Sequence, residues 1–489
     1  MSAGKVEKAT LVDGKTVDYV FVNDPPSGAM KKTYFAPDRS YVVQFYLDPS
    51  QDVQREARLK AIIERFNPTS DPDPRTAAYW RTLFCWPTAM VTRPQLGVVA
   101  PCYPSNFFFE KGPFKGCEKK GKWFSSPKLR KHLLEADRGT WVNYFQVCIL
   151  IARAVRRLHQ AGLAHSDLSS NNILIDPGYV RGGKSIVIDI DSLVVPQIYP
   201  PDVMGTRGYI APEVLATQGL PFRDPRRQHP NVRTDLHALA VLIYDYLLNR
   251  HPLEGRKIHS AVAEEDDLLA MGSRALFIEH PTDHSNWPKE KLKLTHTVLG
   301  TSGDRSKPFP GDLILQAFVD GLHDPHKRPT AMDWERALIR AWDHLLPCEN
   351  SSCTHKWFVF HDSQNPRCPF CGTRTKLTVP VLKFHKETSQ GHWMENGRLV
   401  VYHNSPLFRW HVYDNIFPGE QVDRDVPRQA FFAFHLGKWL LVNEHLPSLT
   451  SPSGNRVPAG QAVELKDGVQ IRLSQEPHGR IAEVQIVRA

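Results

Sequence analysis

The run HSDLSSNNILID at 165–176 sets Asp167 and Asn172 five residues apart on one loop. It is followed by SIVIDIDSL at 185–193, an apolar strand that delivers Asp189 and Asp191 at its end. Phosphoryl transfer needs a carboxylate at the acceptor hydroxyl and a metal ligand nearby, and these residue types supply both. Asp and Asn are also ordinary turn residues, so the weight of the reading rests on what surrounds them. A second set of reactive residues lies far downstream, where Cys348-x4-Cys353 and Cys368-Pro-Phe-Cys371-Gly form two knuckles. Four thiolates at this spacing suit a closed tetrahedral zinc site, which leaves no open position for catalysis and is therefore structural. His355 and His361 lie nearby and read as surface residues. The other four cysteines, Cys85, Cys102, Cys117 and Cys148, are scattered.

The elements that must position these groups follow from periodicity. VDYVFVN, MKKTYFAPD and SYVVQFY between residues 17 and 46 read as strands, as do FCWPTAMV and LGVVAP. Between them DVQREARLKAIIERF is helical, with Leu59, Ile62, Ile63 and Phe66 on one apolar face. From Trp141 a long helix places Phe145, Ile149, Ala152, Val155 and Leu158 on one face and ends near Gly162, just ahead of Asp167. Further helical patterns occupy 235–249 and 331–345. After about residue 376 the chain turns to short β-type runs such as RLVVYHN, QAFFAFHLGKWLLVN and GVQIRLS, with no long amphipathic helix among them.

Taken in order, these motifs resemble those of the eukaryotic-like protein kinases. Asp167 and Asn172 match the catalytic loop, and Asp189 falls where the family's strand ends in a metal-binding Asp, within an apolar-Asp-apolar pattern. Asp191 is then a second candidate ligand. GTRGYIAPEVL resembles the end of an activation segment, with Glu213 in its closing triplet. Asp235 stands where a carboxylate holds the catalytic-loop backbone, and Arg328 where a partner for Glu213 is expected. The resemblance implies ATP with Mg²⁺ (Mn²⁺ as an alternative), an adenine site near Ala100, Pro101, Cys102 and Tyr103, and a protein substrate. More narrowly, MKKTYFAPDRSYVV, ALFIEHPTDHSN at 275–286 and the Cys knuckles are similar to bacterial kinases of tellurium-resistance-type gene systems (the TerY-P triad type). That resemblance implies partners of the von Willebrand A type and a metal-dependent phosphatase.

Three departures from the family pattern matter. Gln44 in Tyr41-Val42-Val43-Gln44 stands where the third strand usually carries a phosphate-gripping Lys. Gly28-Ala29-Met30-Lys31 resembles the corresponding stretch of with-no-lysine kinases, which implies that Lys31 replaces it, with Lys32 on the opposite face of the strand. Glu56 is the expected carboxylate partner and Glu64 the alternative. Gly28 stands alone where the family has three phosphate-loop glycines. Ser166 and Ser169 replace the family's loop Arg and Lys. The first removes the cation on which a phosphorylated activation segment would dock; the second leaves a small-molecule acceptor as an alternative to a protein. A nucleotide-binding pseudokinase scaffold is the alternative from a different class.

Composition bounds the rest. The chain has 489 residues, 41% hydrophobic and 23% charged, the balance of a globular protein with two or three domains. Its net charge of +9 is spread over 61 basic and 52 acidic side chains, so nucleic acid is not the expected partner. The densest basic stretch, Lys111 to Lys131, lies among Phe107, Phe108, Phe109, Trp123 and Phe124, a composition shared by polyanion-binding loops and solvated insertions. No stretch approaches the roughly 18 apolar residues of a membrane helix, and MSAGKVEKATLVDGK has no apolar signal core. A cytoplasmic location is expected.

The fold class expected is α+β: a bilobal kinase fold over 14–346 (N-lobe about 14–103, C-lobe about 104–346), a zinc ribbon over 347–375 and a β-rich, sandwich-like segment over 376–489. GKWLLVNEHLPSL and GVQIRLS resemble the end of a forkhead-associated sandwich. The Arg and Ser-x-x-His pattern that grips phosphothreonine in that family is missing.

Overall fold

The computed structural model describes residues 5–28, 30–48, 54–179, 183–190, 193–198, 205–290, 292–362, 364, 366–376, 378–418 and 427–488. The chain divides into two compact units. One comprises Met1–Gly139, Gln146–Glu290 and Ile314–Glu335; the other comprises Thr140–Phe145, Lys291–Leu313 and Arg336–Ala489. Among the described residues no helix is long and apolar enough to cross a membrane.

The first unit opens with a six-stranded antiparallel sheet in the order β2-β1-β5-β6-β4-β3. Its strands are β1 (Lys5–Leu11), β2 (Thr16–Phe21), β3 (Lys31–Phe35), β4 (Tyr41–Tyr46), β5 (Ala89–Arg93) and β6 (Gly97–Pro101). β1 lies ahead of residue 14, where the sequence places the start of the fold. Its apolar residues Val6, Ala9 and Leu11 do not keep a period of two, and only Ala9 is buried, so strand phase is hard to see there.

The β3–β4 register fixes which side chains share a face. Lys31 pairs with Tyr46, Thr33 with Gln44 and Phe35 with Val42, and β4 in turn sets Gln44 opposite Val98 and Val42 opposite Ala100. Directly paired residues project to the same side, so Lys31, Gln44, Val42 and Ala100 look one way. Lys32 pairs with Phe45 and looks the other way, toward the side on which Tyr19, Tyr34, Val43 and Phe45 form a core.

Helix α1 (Arg55–Glu64) buries Arg55, Arg58, Leu59 and Ile62. Helix α2 (Pro74–Arg81) is not evident from periodicity; Asp73 caps it by accepting from the backbone N–H groups of Arg75 and Thr76, with Pro74 at its first position. The helix Trp141–Gln160 contributes Leu150, Ala154 and Leu158 to a core shared with Leu59, Ile62, Trp80, Phe84 and Met90. Its Arg153 is fully buried, donating to Glu335 at 2.7 Å and to the Tyr79 hydroxyl at 2.6 Å; Arg156 takes the other Glu335 oxygen. Helix Val232–Leu248 starts in a capping box at Asn231 and stops at Asn249 in the left-handed conformation. The hairpin β7 (Ile173–Asp176) and β8 (Lys184–Val187) lies between the loop of Asp167 and Asn172 and the residue Asp189.

In the second unit, β9 (Leu345–Pro347) pairs with β10 (Trp357–Val359) beside the cysteines. Two four-stranded antiparallel sheets follow. One has the order β12-β11-β18-β17, with β11 (Val379–Ser389), β12 (His392–Val400), β17 (Gln470–Arg472) and β18 (Ile481–Val487). The other has β13 (Pro406–Leu407), β14 (Ala430–His435), β15 (Lys438–Asn443) and β16 (Ala462–Glu464) in sequence order. Leu382, Phe384, Phe432, Leu441, Ile471 and Val484 from both sheets share one core.

Candidate active site

The loop that carries Asp167 is held from beneath by Asp235. One of its carboxylate oxygens accepts the His165 N–H at 2.7 Å and lies 3.0 Å from His159 Nε2; the other accepts the Ser166 N–H at 3.1 Å. Ser166 sits at φ 63°, a left-handed conformation that costs a non-glycine residue about 1–2 kcal/mol. The paired bonds to Asp235 offset that cost and turn the chain so that Asp167 emerges half-buried. Ser169 faces inward, fully buried, with its hydroxyl accepting the Asn171 N–H, so it braces the loop.

Both oxygens of Asp167 are fixed. Oδ2 accepts from Asn172 Nδ2 at 2.7 Å, and Oδ1 accepts from the Thr206 hydroxyl at 2.8 Å. Asn172 Nδ2 also donates to the Asp167 carbonyl at 2.8 Å. With its amide hydrogens spent on Asp167, Asn172 turns Oδ1 away from that residue, where it is free to act as an acceptor or a metal ligand. Thr206 is a site residue that local spacing does not reveal, because it stands 39 residues from Asp167.

Asp189 is brought close to Asn172 by the backbone: Ile188 N–H donates to Asn172 O at 3.0 Å. Its neighbours are anchored in two separate cores, Ile188 with Val42, Ala100 and Leu174, and Ile190 with Leu59, Ile62 and Met90. Asp189 is exposed between them at φ 59°. A carboxylate and an amide oxygen form the hard-oxygen donor set that suits Mg²⁺. Asp191 lies outside the described residues.

On the sheet side, Val42, Cys85 and Ala100 form an apolar cluster with Phe107, Leu174, Ile186 and Ile188, and Cys102 and Tyr103 pack against it. Pro101 is at the strand end, and its carbonyl accepts the Cys85 thiol at 3.4 Å. Burial pushes the Cys85 thiol up to about 12, and the Lys31 ammonium opposes that shift. Lys31 Nζ also lies 5.8 Å from the centre of the Tyr46 ring. Gln44 donates to the Thr33 hydroxyl at 3.3 Å on the same face.

Two expectations need correction. Glu56 is exposed and, among the described residues, makes no ion pair, so the structure does not bring it to Lys31. The stripe of α1 that turns inward runs through Arg55 and Arg58, and the Arg55 guanidinium lies 4.6 Å from the Tyr46 ring centre. Glu64, the alternative, is exposed as well. Gly28 does not offer its N–H to a phosphate, because that group donates to Lys31 O at 2.9 Å and closes the turn into β3.

Glu213 and Arg328 form two parallel 2.8 Å hydrogen bonds, and Arg328 also donates to the carbonyls of Gly321, Leu322 and Arg233. The arrangement ties the segment carrying Thr206 to the end of the first unit. Glu213→Gln keeps one acceptor and loses the charge opposite a buried guanidinium; unfolding free energy should fall by about 1.5–3 kcal/mol, the worth of a charge-assisted bond, in denaturant titration. A change within error would show that the pair contributes only geometry.

In the second unit the four clustered cysteines converge. Cys348 and Cys371 sulfurs are 3.6 Å apart, those of Cys353 and Cys368 are 3.9 Å apart, and all four lie within 4.8 Å of one another. Zn–S bonds of about 2.3 Å in a tetrahedron give sulfur separations of about 3.8 Å, so the set fits zinc. His355 stacks on Phe370 at 3.6 Å and stays outside the cluster, while His361 is half-buried with Nε2 against Thr297 O. The purified chain should contain about one zinc, and Cys353→Ser with Cys368→Ser should lose it. Full metal retention by that double variant would rule the site out.

Residues 130–337 match the protein kinase domain family. A probable leucine-rich repeat receptor-like protein kinase of Arabidopsis thaliana is 26% identical over 42% of this chain and 16% of its own length. The serine/threonine-protein kinase BIK1 of the same plant is 24% identical over 42% of this chain and 46% of its own, and the serine/threonine-protein kinase MRCK gamma of Mus musculus 23% over 43% and 12%. The chain thus spans less than half the length of each of these relatives. A crystal structure of a rhoptry kinase from Toxoplasma gondii aligns over 68% of this chain and 80% of that one, with 13% identity and a TM-score of 0.40. Over residues 130–337, around the loop that presents Asp167, this chain carries a protein kinase domain with eukaryotic-type relatives.

Proposed function

We propose that the first unit transfers the γ-phosphoryl group of ATP to a serine or threonine hydroxyl of a protein. The observation that carries this reading is the Asp167 carboxylate, fixed at one oxygen by Asn172 and at the other by Thr206. Each oxygen keeps a lone pair, so Asp167 can accept the proton of an acceptor hydroxyl as that oxygen bonds to the γ-phosphorus and the bond to ADP breaks. Asn172 Oδ1 and the Asp189 carboxylate are the ligands proposed for Mg²⁺ or Mn²⁺, with Asp191 as a second carboxylate; the ion supplies positive charge against the phosphate oxygens. Lys31 supplies the protein's own positive charge there, in place of Gln44. Adenine is assigned to the apolar cluster of Val42, Ala100 and Leu174, beside Cys102 and Tyr103. A protein acceptor is supported by the segment GTRGYIAPE, which packs Thr206 against Asp167.

The proposed limits are 14–346 for the kinase, with β1 extending its sheet back to Lys5, then a zinc ribbon over 347–375 and a β-rich segment over 376–489. The partners of von Willebrand A and phosphatase type rest on the sequence resemblance alone. Incubation with γ-labelled ATP, Mg²⁺ and a mixed protein substrate, followed by acid hydrolysis, should yield labelled phosphoserine or phosphothreonine. Label confined to phosphotyrosine or to a small molecule would overturn the acceptor class.

A further inference from the structure

The segment Lys111 to Lys131 holds eight Lys and Arg residues and a single acid, Glu118. It is folded against the loop that presents Asp167. Phe114 packs on Trp123 with ring centres 4.3 Å apart, and Phe109 contacts both Trp123 and Phe124. Lys119 is buried, 3.0 Å from Asp176 and 3.1 Å from Asp137, which pins the segment to the strand leaving the catalytic loop. The next backbone groups reach the loop itself: Gly121 N–H donates to Ile173 O at 2.8 Å and Lys122 N–H to Ser170 O at 3.0 Å. A side chain at Gly121 would collide with the Tyr246 hydroxyl and the Ser170 carbonyl, so the approach requires glycine. Tyr209, three residues after Thr206, donates to Asp245 at 2.9 Å, and the Ser170 and Ser125 side chains act on the same hydroxyl.

This aromatic-cored platform therefore has its backbone fastened three residues from Asp167. It turns Lys111, Lys115, Lys122, Lys128 and Lys131 out to solvent, and none of the five makes an ion pair among the described residues. Positive charge held rigidly beside an acceptor site attracts negative charge on the acceptor and repels positive charge.

We propose that this platform selects protein acceptors whose serine or threonine is flanked by Asp and Glu side chains, with Lys122 and Lys128 as specificity-determining residues. The inference rests on the phosphotransfer reading above. Attachment to Ser170 favours a peptide over a nucleic acid, because it holds the charge on a segment bonded to the loop that presents Asp167.

The test compares kcat/KM for three synthetic peptides with one central serine and acidic, neutral or basic flanks. The wild-type chain should prefer the acidic peptide over the neutral one by at least about tenfold, through KM, and the advantage should shrink as salt shortens the Debye length below about 8 Å. Lys122→Glu with Lys128→Glu should invert the order, so that the basic peptide becomes the better substrate, a change that a merely loosened fold would not produce. Transfer to all three peptides at equal efficiency would overturn the proposal and leave the kinase reading standing. Absence of transfer to every peptide and protein would instead overturn the kinase reading and the proposal with it. Equal peptide efficiencies together with oligonucleotide binding that the double variant loses would reassign the platform to nucleic acid.

Discussion

Asp167→Asn is expected to slow phosphoryl transfer by about 10²–10⁴-fold, the contribution of a positioned general base, while nucleotide affinity changes little. The substitution is nearly isosteric. Its amide oxygen can still accept from Asn172 Nδ2, and the Thr206 hydroxyl, which donates in the native site, can rotate to accept the new amide hydrogen. The left-handed turn at Ser166 rests on Asp235 and is untouched. What disappears is the basic lone pair that takes the acceptor proton. Initial rates with saturating ATP, beside a thermal melt to show that the fold persists, measure the effect. A rate within threefold of wild type would remove Asp167 from the chemistry.

Lys31→Met is expected to cost about 10²-fold or more in transfer, the loss typical of one electrostatic contact to developing charge. Gln44 stands where the family resemblance places a phosphate-gripping lysine, and it donates to Thr33 instead. The β3–β4 register puts Lys31 on that same face, next to Gln44 along the sheet, with its charge felt at Cys85 in the apolar cluster. Lys32 leaves on the opposite face, so Lys32→Met should be nearly silent, and Gln44→Met should cost far less than Lys31→Met. Because Glu56 is exposed and makes no ion pair among the described residues, Glu56→Ala should also have little effect. If Lys32→Met proves as damaging as Lys31→Met, the register argument fails. If Lys31→Met retains the wild-type rate, the charge comes from elsewhere, and the buried Arg55 and Arg58 of α1 become the groups to test.

How much of this was legible beforehand depends on the range of each interaction. Asp167 and Asn172 are five residues apart on one loop, and the bond between them is local enough for spacing to suggest it. The same holds for the cysteine knuckles. The placements of Asp235 beneath the loop and of Arg328 against Glu213 follow motif order, and the structure sets each beside its expected partner. Thr206 lies within GTRGYIAPEVL, which motif order marks, but its bond to Asp167 was not legible, because only the path of the chain between 167 and 206 brings its hydroxyl there. Glu56 failed on helix phase. Reading Leu59, Ile62, Ile63 and Phe66 as the apolar face placed Glu56 at its border. The stripe that turns inward is instead rotated toward Arg55 and Arg58, whose long stems tolerate burial where a short carboxylate would not. Gly28 failed because a free N–H cannot be inferred from a glycine alone; the turn into β3 uses that hydrogen.

The central claim is that the loop presenting Asp167 performs phosphoryl transfer, and single-turnover kinetics test it most directly. With the chain in excess over γ-labelled ATP and with Mg²⁺ and a protein acceptor present, label should move from ATP to protein with one ADP formed per phosphate transferred, and Asp167→Asn should bind the nucleotide yet leave the label on ATP. If the wild-type chain binds ATP and Mg²⁺ and all label remains on the nucleotide, the chain is a nucleotide-binding scaffold and the account is contradicted.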